Sequence, residues 1–193
     1  SVATGKTPDK HGIVDFIATD PKTGAILPVT STLRRSRAFW NILSDAGVSC
    51  GVIAWWASFP AERVNGFMAT DRIAYQLFKG RIKESVSDNP LKTFPADLYP
   101  RIAPLIRPPD EVAPADLSRF IDMDRHSAGF SQDDWSRVNE FRTLVAATNT
   151  YAGIGRALFA DRPTDLRVLY FEGPDTAAHL FMPFVPPARE GVD

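Results

Sequence analysis

The spacing of apolar residues predicts a helix and then a strand in the first third of the chain. From Ala38 to Ala46 apolar positions recur at steps of three and four, which predicts an amphipathic helix with Ser36 as N-cap and Gly47 just beyond its end. The apolar run that follows, residues 48–56 (VSCGVIAWW), predicts a strand covered on both faces. A helix, a glycine and a buried strand in succession are typical of a doubly wound α/β sheet.

A second helix and strand are predicted towards the C-terminal end. Apolar positions keep a three- and four-residue step from about Gln132 to Phe159, which predicts one long helix. Residues 167–171 (RVLYF) then predict a second strand, with Val168 to Phe171 buried. Crossovers between parallel strands place the following loops at one edge of the sheet, so we expect the WWASFPAE and EGPDTAAH loops there.

Proline and glycine mark the remaining segments. Residues 1–35 are rich in turns, with one short strand predicted near Ile13–Ile17. Residues 80–130 hold many of the 16 prolines, a density that central strands do not tolerate. We therefore predict an α/β fold with a mostly parallel sheet flanked by helices and a proline-rich helical cap insertion. In this division residues 1–79 and 131–193 form the two parts of the core, and residues 80–130 form the cap.

Composition narrows the possible partners. The chain has 193 residues, 44% of them hydrophobic, and a formal net charge of −1, so nothing global predicts binding to a nucleic acid polymer. No apolar stretch reaches the ~18–20 residues of a membrane span. The single cysteine, Cys50, excludes an internal disulfide and is predicted to be a small core residue. Arg34 and Arg35, the densest basic pair, are interpreted as part of a solvated loop.

Asp175 and His179 are the first candidates for chemistry. They follow the second predicted strand directly, and an oxygen and an imidazole four residues apart can converge on zinc, manganese or iron. The alternative is a capping aspartate in a Gly-Pro turn and a surface histidine. A catalytic zinc needs about three protein ligands. Either His11 or a nearby carboxylate completes the site, or, as we prefer, the remaining ligands lie outside this chain.

Two further segments contain polar candidates. The TGKTPDKHGI segment, residues 4–13, could face an anion, but it lacks the P-loop order and is interpreted as a structural loop. In the WWASFPAERVNG segment, Trp56, Glu62 and Asn65 are candidate substrate-binding residues. Asp71 is interpreted as a helix cap. No dinucleotide fingerprint occurs.

Three segments in this order carry a resemblance to a known family: ATGKTPDKHGIVDF, the long FWNILSDAGVSCGVIAWWASFPAERVNGFMATD, and VLYFEGPDTAAH. They resemble the alkaline phosphatase superfamily, and within it the type I phosphodiesterase/nucleotide pyrophosphatase branch. The resemblance implies an alkaline-phosphatase-like fold with two divalent metal ions, usually zinc, at the carboxyl edge of the sheet. By the same resemblance, Asp175 and His179 are two ligands of one of these ions.

The resemblance also implies what this chain lacks. The family's nucleophile is a threonine a few residues before the position of Ser1, and its other metal ligands include a downstream D-H-G motif. We therefore expect no catalytic nucleophile in this chain. We expect the chain to be a central fragment, and its partner to be the remainder of its own polypeptide. His11 matches an architectural histidine of the family and is not expected to bind metal. Neither Ser1 nor Thr4 is expected to be the nucleophile.

The expected activity is hydrolysis of a small-molecule phosphate ester through a covalent phosphoenzyme, by resemblance. The chain alone is expected to be inactive or nearly so. Other superfamily chemistries remain as alternatives, namely those of a sulfatase, a phosphonate hydrolase or a phosphoglycerate mutase. A non-enzymatic α/β domain, in which Asp175 and His179 are incidental, is the other alternative. A periplasmic or secreted location is expected by resemblance only.

Overall fold

The computed structural model describes residues 1–74 and 90–185. Among these residues the helices are α1 (Pro8–His11), α2 (Phe39–Asp45), α3 (Tyr99–Ile102), α4 (Pro114–Leu117), α5 (Met123–His126), α6 (Gln132–Asp161) and α7 (Gly173–Phe181). The strands are β1 (Ile17–Thr19), β2 (Ile26–Pro28), β3 (Cys50–Ile53), β4 (Gly66–Ala69), β5 (Thr93–Phe94) and β6 (Leu166–Leu169). Short 3₁₀ turns join several of these elements.

The main sheet is mostly parallel, as predicted. Its four strands have the order β5-β4-β3-β6. Strand β3 is parallel to both of its neighbours, with Gly51 opposite Phe67 of β4 and Arg167 of β6, and only the two-residue β5 is antiparallel. Strands β1 and β2 form a separate antiparallel pair. The carboxyl ends of β3, β4 and β6 therefore lie together at one edge.

Helices cover the two faces of this sheet. On one face Trp40 of α2 packs with Cys50, Val52 and Met68. On the other face Ile53 packs with residues of α6 and of the proline-rich segment. All four residues of β3 are buried, so the prediction of a strand covered on both faces is confirmed. The fold is α/β and consistent with the alkaline phosphatase type.

The long helix α6 approaches the sheet closely because β3 has a glycine at the point of contact. A Cβ at Gly51 would lie 2.6 Å from the ring of Phe67 and 2.9 Å from that of Phe159, which belongs to α6. At its start Ser131 accepts a hydrogen bond from the backbone N–H of Asp134, and the Asp134 carboxylate accepts one from the backbone N–H of Ser131. The prediction of one long helix from about residue 132 is thus confirmed.

The proline-rich segment forms short helical turns, as predicted for the cap. Helices α3 and α4 both have proline in their first turn, where its missing N–H costs no hydrogen bond. Leu98, Tyr99 and Ile102 bury their side chains in the same core as Ile53 and Tyr151. The domain division remains a prediction, and its boundary between residues 79 and 80 lies outside the described residues, as do residues 186–193.

Several predicted boundaries in the first half of the chain are wrong. The strand near Ile13–Ile17 is instead β1, which pairs with the unpredicted β2. Helix α2 has Ala38 as N-cap, with Asn41 Oδ1 accepting the backbone N–H of Ala38 at 3.0 Å. Ser36 does not cap this helix, because its hydroxyl donates to the carbonyl of Lys10.

Two further predictions need correction. The second strand ends at Leu169, and its residues are only partly buried, because β6 has one neighbour, β3, among the described strands. Phe171 lies beyond the strand and is 39% exposed. Arg34 is not solvated: its side chain is buried, and its guanidinium lies over the ring of Trp40. Arg35 is exposed, as the loop interpretation required.

Across the two described stretches, no helix combines the length and the apolar character needed to cross a bilayer. This holds for α6, whose 30 residues include many charged side chains.

Candidate active site

Three neighbouring strands deliver polar and aromatic side chains to the carboxyl edge of the sheet. Trp55 and Trp56 follow β3, Asp71 follows β4, and Tyr170 and Glu172 follow β6. Helix α7 starts directly afterwards at Gly173 and carries the two predicted metal ligands. The predicted placement of the two loops at one edge is confirmed by the parallel pairing.

The side chains of Asp175 and His179 lie on the same side of α7. Asp175 Oδ2 is 3.9 Å from His179 Nε2, and the two side chains are 71% and 81% exposed. Two ligand atoms of a tetrahedral zinc are separated by about 3.4 Å when each bond is about 2.1 Å long. The observed spacing is slightly wider, so a small side-chain rotation would let both atoms bind one cation.

The described residues contain no group of three or more His, Cys, Asp and Glu side chains that could hold a metal ion. His11 is the last residue of α1 and His126 the last residue of α5, and neither joins Asp175 and His179 in such a group. The prediction that one aspartate and one histidine supply part of a ligand set stays a prediction.

Glu172 is a buried acid at the start of α7. It is 5% exposed, and its Oε1 accepts a hydrogen bond from the hydroxyl of Thr176 at 3.4 Å. Burial, with a smaller contribution from the charges of Asp175 and Asp71, raises the pKa of Glu172 to about 7, although the hydrogen bond from Thr176 opposes the rise. The edge therefore concentrates negative charge, which a divalent cation would neutralise.

Asp71 holds the loop that follows β3. Its carboxylate accepts hydrogen bonds from the backbone N–H of Ala57 at 3.0 Å, the backbone N–H of Phe59 at 3.1 Å and the hydroxyl of Ser58 at 3.2 Å. Burial raises the pKa of Asp71 to about 6, although the Arg72 guanidinium and these hydrogen bonds oppose the rise. The helix-cap interpretation of Asp71 is replaced by this role.

A cavity of about 480 Å³ opens beside the edge. Trp55, Trp56 and Tyr170 line it, together with Phe16, whose ring meets that of Trp56 edge to face at 5.2 Å between centroids. Its lining is mainly apolar, with Arg34 among the few charged side chains. The volume and the aromatic walls are those of a pocket for a small organic group.

Tyr170 connects this cavity with the predicted metal ligands. Burial raises the pKa of the Tyr170 hydroxyl, and the negative charges of Glu172 and Asp175 raise it further, while a hydrogen bond from Trp56 opposes the rise. The Tyr170 hydroxyl thus lies within electrostatic reach of Asp175 and is bonded to a cavity wall. Trp56, the predicted substrate-binding residue, is part of that wall.

The other two predicted substrate-binding residues lie elsewhere. Glu62 binds Arg34 Nη2 at 2.5 Å and accepts a hydrogen bond from the Trp40 indole at 2.9 Å, so it supports the cavity wall from behind. Asn65 precedes β4, at the opposite edge of the sheet, and its amide donates to the carbonyl of Gly47. The structure does not bring Asn65 together with Asp175. Substrate contact by Glu62 or Asn65 stays a prediction.

His11 is buried and has a structural set of contacts. Its Nδ1 accepts the backbone N–H of Ile13 at 3.2 Å, so the ring proton lies on Nε2, 3.4 Å from the hydroxyl of Ser1. A histidine in this tautomer donates towards Ser1 and does not remove its proton. The pair therefore lacks the geometry of an activated nucleophile, in line with the architectural role expected for His11.

Sequence reasoning missed Asp71 and Glu172 as parts of this edge. The position of Glu172 could have been predicted, because this acid directly follows a predicted strand. The position of Asp71 was harder to predict, because the four-residue β4 before it was not predicted. Phe16 had no signal, since its ring reaches Trp56 across 40 residues of sequence.

Among the comparisons with known proteins, one found a match. Neither a curated protein nor a solved structure matches the chain. One family model, described as type I phosphodiesterase / nucleotide pyrophosphatase, matches residues 1–192, nearly the whole chain. That family is one of phosphate ester hydrolases within the alkaline phosphatase superfamily. The chain therefore belongs to the type I phosphodiesterase/nucleotide pyrophosphatase family.

Proposed function

We propose that this protein takes part in metal-dependent hydrolysis of phosphate esters, with Asp175 and His179 binding one divalent cation. The observation that carries the proposal is the 3.9 Å between Asp175 Oδ2 and His179 Nε2 at the carboxyl edge of the sheet, in a chain of this family. An oxygen and an imidazole nitrogen suit zinc, and two such ions are proposed for the intact site.

The charge of the edge supports a cation at this position. Glu172 is close enough to Asp175 and Asp71 for their charges to raise its pKa, and a divalent ion at Asp175 would offset that repulsion. When bound, such ions neutralise phosphate oxygens and stabilise the entering and leaving oxygens of the displacement. In this proposal the phosphate ester is hydrolysed at this edge of the sheet. The nucleophile is not one of the described residues.

The aromatic cavity supports a site for the organic group of the ester. Tyr170 borders both the cavity and the carboxylates, so a phosphate near Asp175 would place its substituent towards Trp55 and Trp56. Planar groups gain from edge-to-face and stacked contacts with such rings. The favoured substrates are therefore small phosphate esters with an aromatic or otherwise planar substituent.

The test compares two histidines in the full natural polypeptide that contains this sequence. His179→Ala should lower zinc affinity and hydrolysis of bis(4-nitrophenyl) phosphate by more than about 100-fold, because a direct ligand is removed. His126→Ala, at an exposed position of α5, is the matched control and should leave both unchanged. Zinc affinity is measured by titration of metal-free protein, and hydrolysis by release of nitrophenolate.

Unaltered zinc affinity in His179→Ala would refute the assignment of the ligand. Parallel assays with 4-nitrophenyl phosphate and 4-nitrophenyl sulfate separate diester, monoester and sulfate ester hydrolysis. Preference for the sulfate would replace the phosphate ester proposal with a sulfatase.

A further inference from the structure

We propose that Asp71 is a positioning residue that fixes the loop bearing Trp55 and Trp56, and so shapes the cavity for the organic group. The identity of the cavity as a substrate site rests on the proposed function, but the role of Asp71 in the loop does not. The inference starts from three hydrogen bonds that converge on one buried carboxylate.

The loop after β3 has an unusual backbone. Ala54 and Ala57 have φ values of 62° and 56°, in the left-handed region that residues with a side chain adopt at a cost. The backbone N–H of Ala57 is held by Asp71 Oδ2, and that of Phe59 by Asp71 Oδ1. The Asp71 carboxylate thus holds Ala57, the second residue in the left-handed region, and the segment that follows Trp56.

Arg72 ties the same region to another wall of the cavity. Its guanidinium lies 5.8 Å from the centre of the Phe59 ring, and its Nη2 donates to the carbonyl of Val29 at 3.3 Å. Val29 and Ala57 both line the cavity. The Asp71–Arg72 dipeptide at the end of β4 therefore holds two walls that come from distant parts of the sequence.

The dipeptide is itself held by the long helix. The hydroxyl of Tyr151 on α6 bonds to the carbonyls of Thr70 and Asp71 at 3.1 and 2.9 Å and accepts the backbone N–H of Ala74 at 3.0 Å. Asp71 is 2% exposed, so water cannot replace it as the acceptor for the loop. An acceptor fixed in this way can hold a backbone conformation that the loop would not keep alone.

The test is Asp71→Asn in the full chain, with Asp45→Asn as control, because Asp45 pairs with Arg37 at the surface. The asparagine keeps the shape but replaces one acceptor oxygen with a donor, so one loop N–H loses its partner. At pH 8, hydrogen–deuterium exchange at the amides of Ala57 and Phe59 should accelerate at least about tenfold. Exchange at Val52 and Ile53 in β3 should not change.

A second measurement tests the consequence for the cavity. Binding of 4-nitrophenyl phosphate, followed by quenching of tryptophan fluorescence, should weaken by about tenfold in Asp71→Asn, whereas binding of inorganic phosphate should not change. Asp45→Asn should behave as wild type in both measurements.

Each result decides one statement. Unchanged exchange at Ala57 and Phe59, or equal acceleration throughout β3, would overturn the positioning role of Asp71. If wild type fails to bind 4-nitrophenyl phosphate while the loop exchange accelerates as expected, the substrate assignment of the cavity fails and the positioning role stands.

Discussion

Two buried acids at the edge of the sheet make the stability of the protein depend on pH. Glu172 and Asp71 are almost inaccessible to water, and burial raises the pKa of both, to about 7 and about 6. A folded protein that holds protons more tightly than its unfolded chain becomes less stable as the pH rises through that interval. These two groups therefore oppose folding at neutral pH while the edge carries no cation.

Glu172→Gln should remove one part of this pH dependence. In the metal-free wild-type chain, the contribution of Glu172 to the free energy of unfolding should fall as pH rises from 4.5 to above 7, by up to about 3 kcal/mol. Asp71 contributes mainly between pH 3.8 and about 6, so most of the decline from pH 6 to 7 comes from Glu172. Urea unfolding in the presence of a chelator should show that decline in wild type and a much smaller one in the variant.

An exposed acid provides the control for this experiment. Glu140→Gln, on the solvent side of α6, should keep the wild-type decline between pH 6 and 7. An identical decline in Glu172→Gln would mean that Glu172 does not change its protonation on unfolding in this interval.

Two glycines in regular elements have opposite structural roles. Gly66 opens β4 with φ at 136°, and a Cβ there would collide with the carbonyl oxygen of Cys50 on β3. Gly153 lies inside α6, and a Cβ there would meet no atom within 4 Å. The first glycine allows β3 and β4 to pair, whereas the second only weakens a helix.

Alanine at these two positions should change stability in opposite directions. Gly66→Ala should lower the free energy of unfolding by more than about 2 kcal/mol, because both its φ and its contact with β3 exclude a side chain. Gly153→Ala should raise it by about 0.5–1 kcal/mol, through helix propensity. Thermal or urea unfolding of both variants measures this, and a stable Gly66→Ala would contradict the close approach of the two strands.

At the level of elements, sequence periodicity predicts what repeats locally. The 30-residue α6 and the fully buried β3 were predicted because their patterns are long or continuous. The four-residue β4 and the three-residue β2 were not, because so few residues show no clear period. The predicted end of β6 is wrong for another reason. Tyr170 lines the cavity and Phe171 lies in the loop, so these two residues lengthen the apolar run without belonging to the strand.

Across the whole molecule, Tyr151 links α6 with the carboxyl edge of the sheet. Its side chain is 1% exposed, and its hydroxyl bonds to backbone groups of Thr70, Asp71 and Ala74. Ala74 is itself buried. The Tyr151 hydroxyl thereby couples the packing of α6 to the geometry of the site.

Tyr151→Phe should destabilise the entire fold by about 1–3 kcal/mol, because it leaves buried backbone groups without a partner. Combined with Asp71→Asn, the effects should be non-additive, since both changes act on the same segment. A urea-unfolding double-mutant cycle measures this, and full additivity would show that Tyr151 and Asp71 act independently.

The site was predictable only where its parts are close in sequence. Asp175 and His179 lie on one side of α7 because residues four apart in a helix are neighbours, so their proximity follows from spacing. The carboxylate of Asp71 serves backbone groups 12 to 14 residues away, and such partners have no sequence signature. Glu62, a predicted substrate-binding residue, also bonds to Arg34 and Trp40, and only the packing of α2 reveals these contacts.

The one cysteine gives this fold a built-in reporter. Cys50 begins β3 in the centre of the sheet, is fully buried, and has a thiol whose pKa is raised by burial. Its Sγ donates to the carbonyl of Trp40 on α2. Oxidants and alkylating reagents attack the thiolate, so they reach this sulfur only when α2 moves away from the sheet or the protein unfolds. The rate at which the protein takes up a single thiol label therefore measures how often this face of the sheet is uncovered.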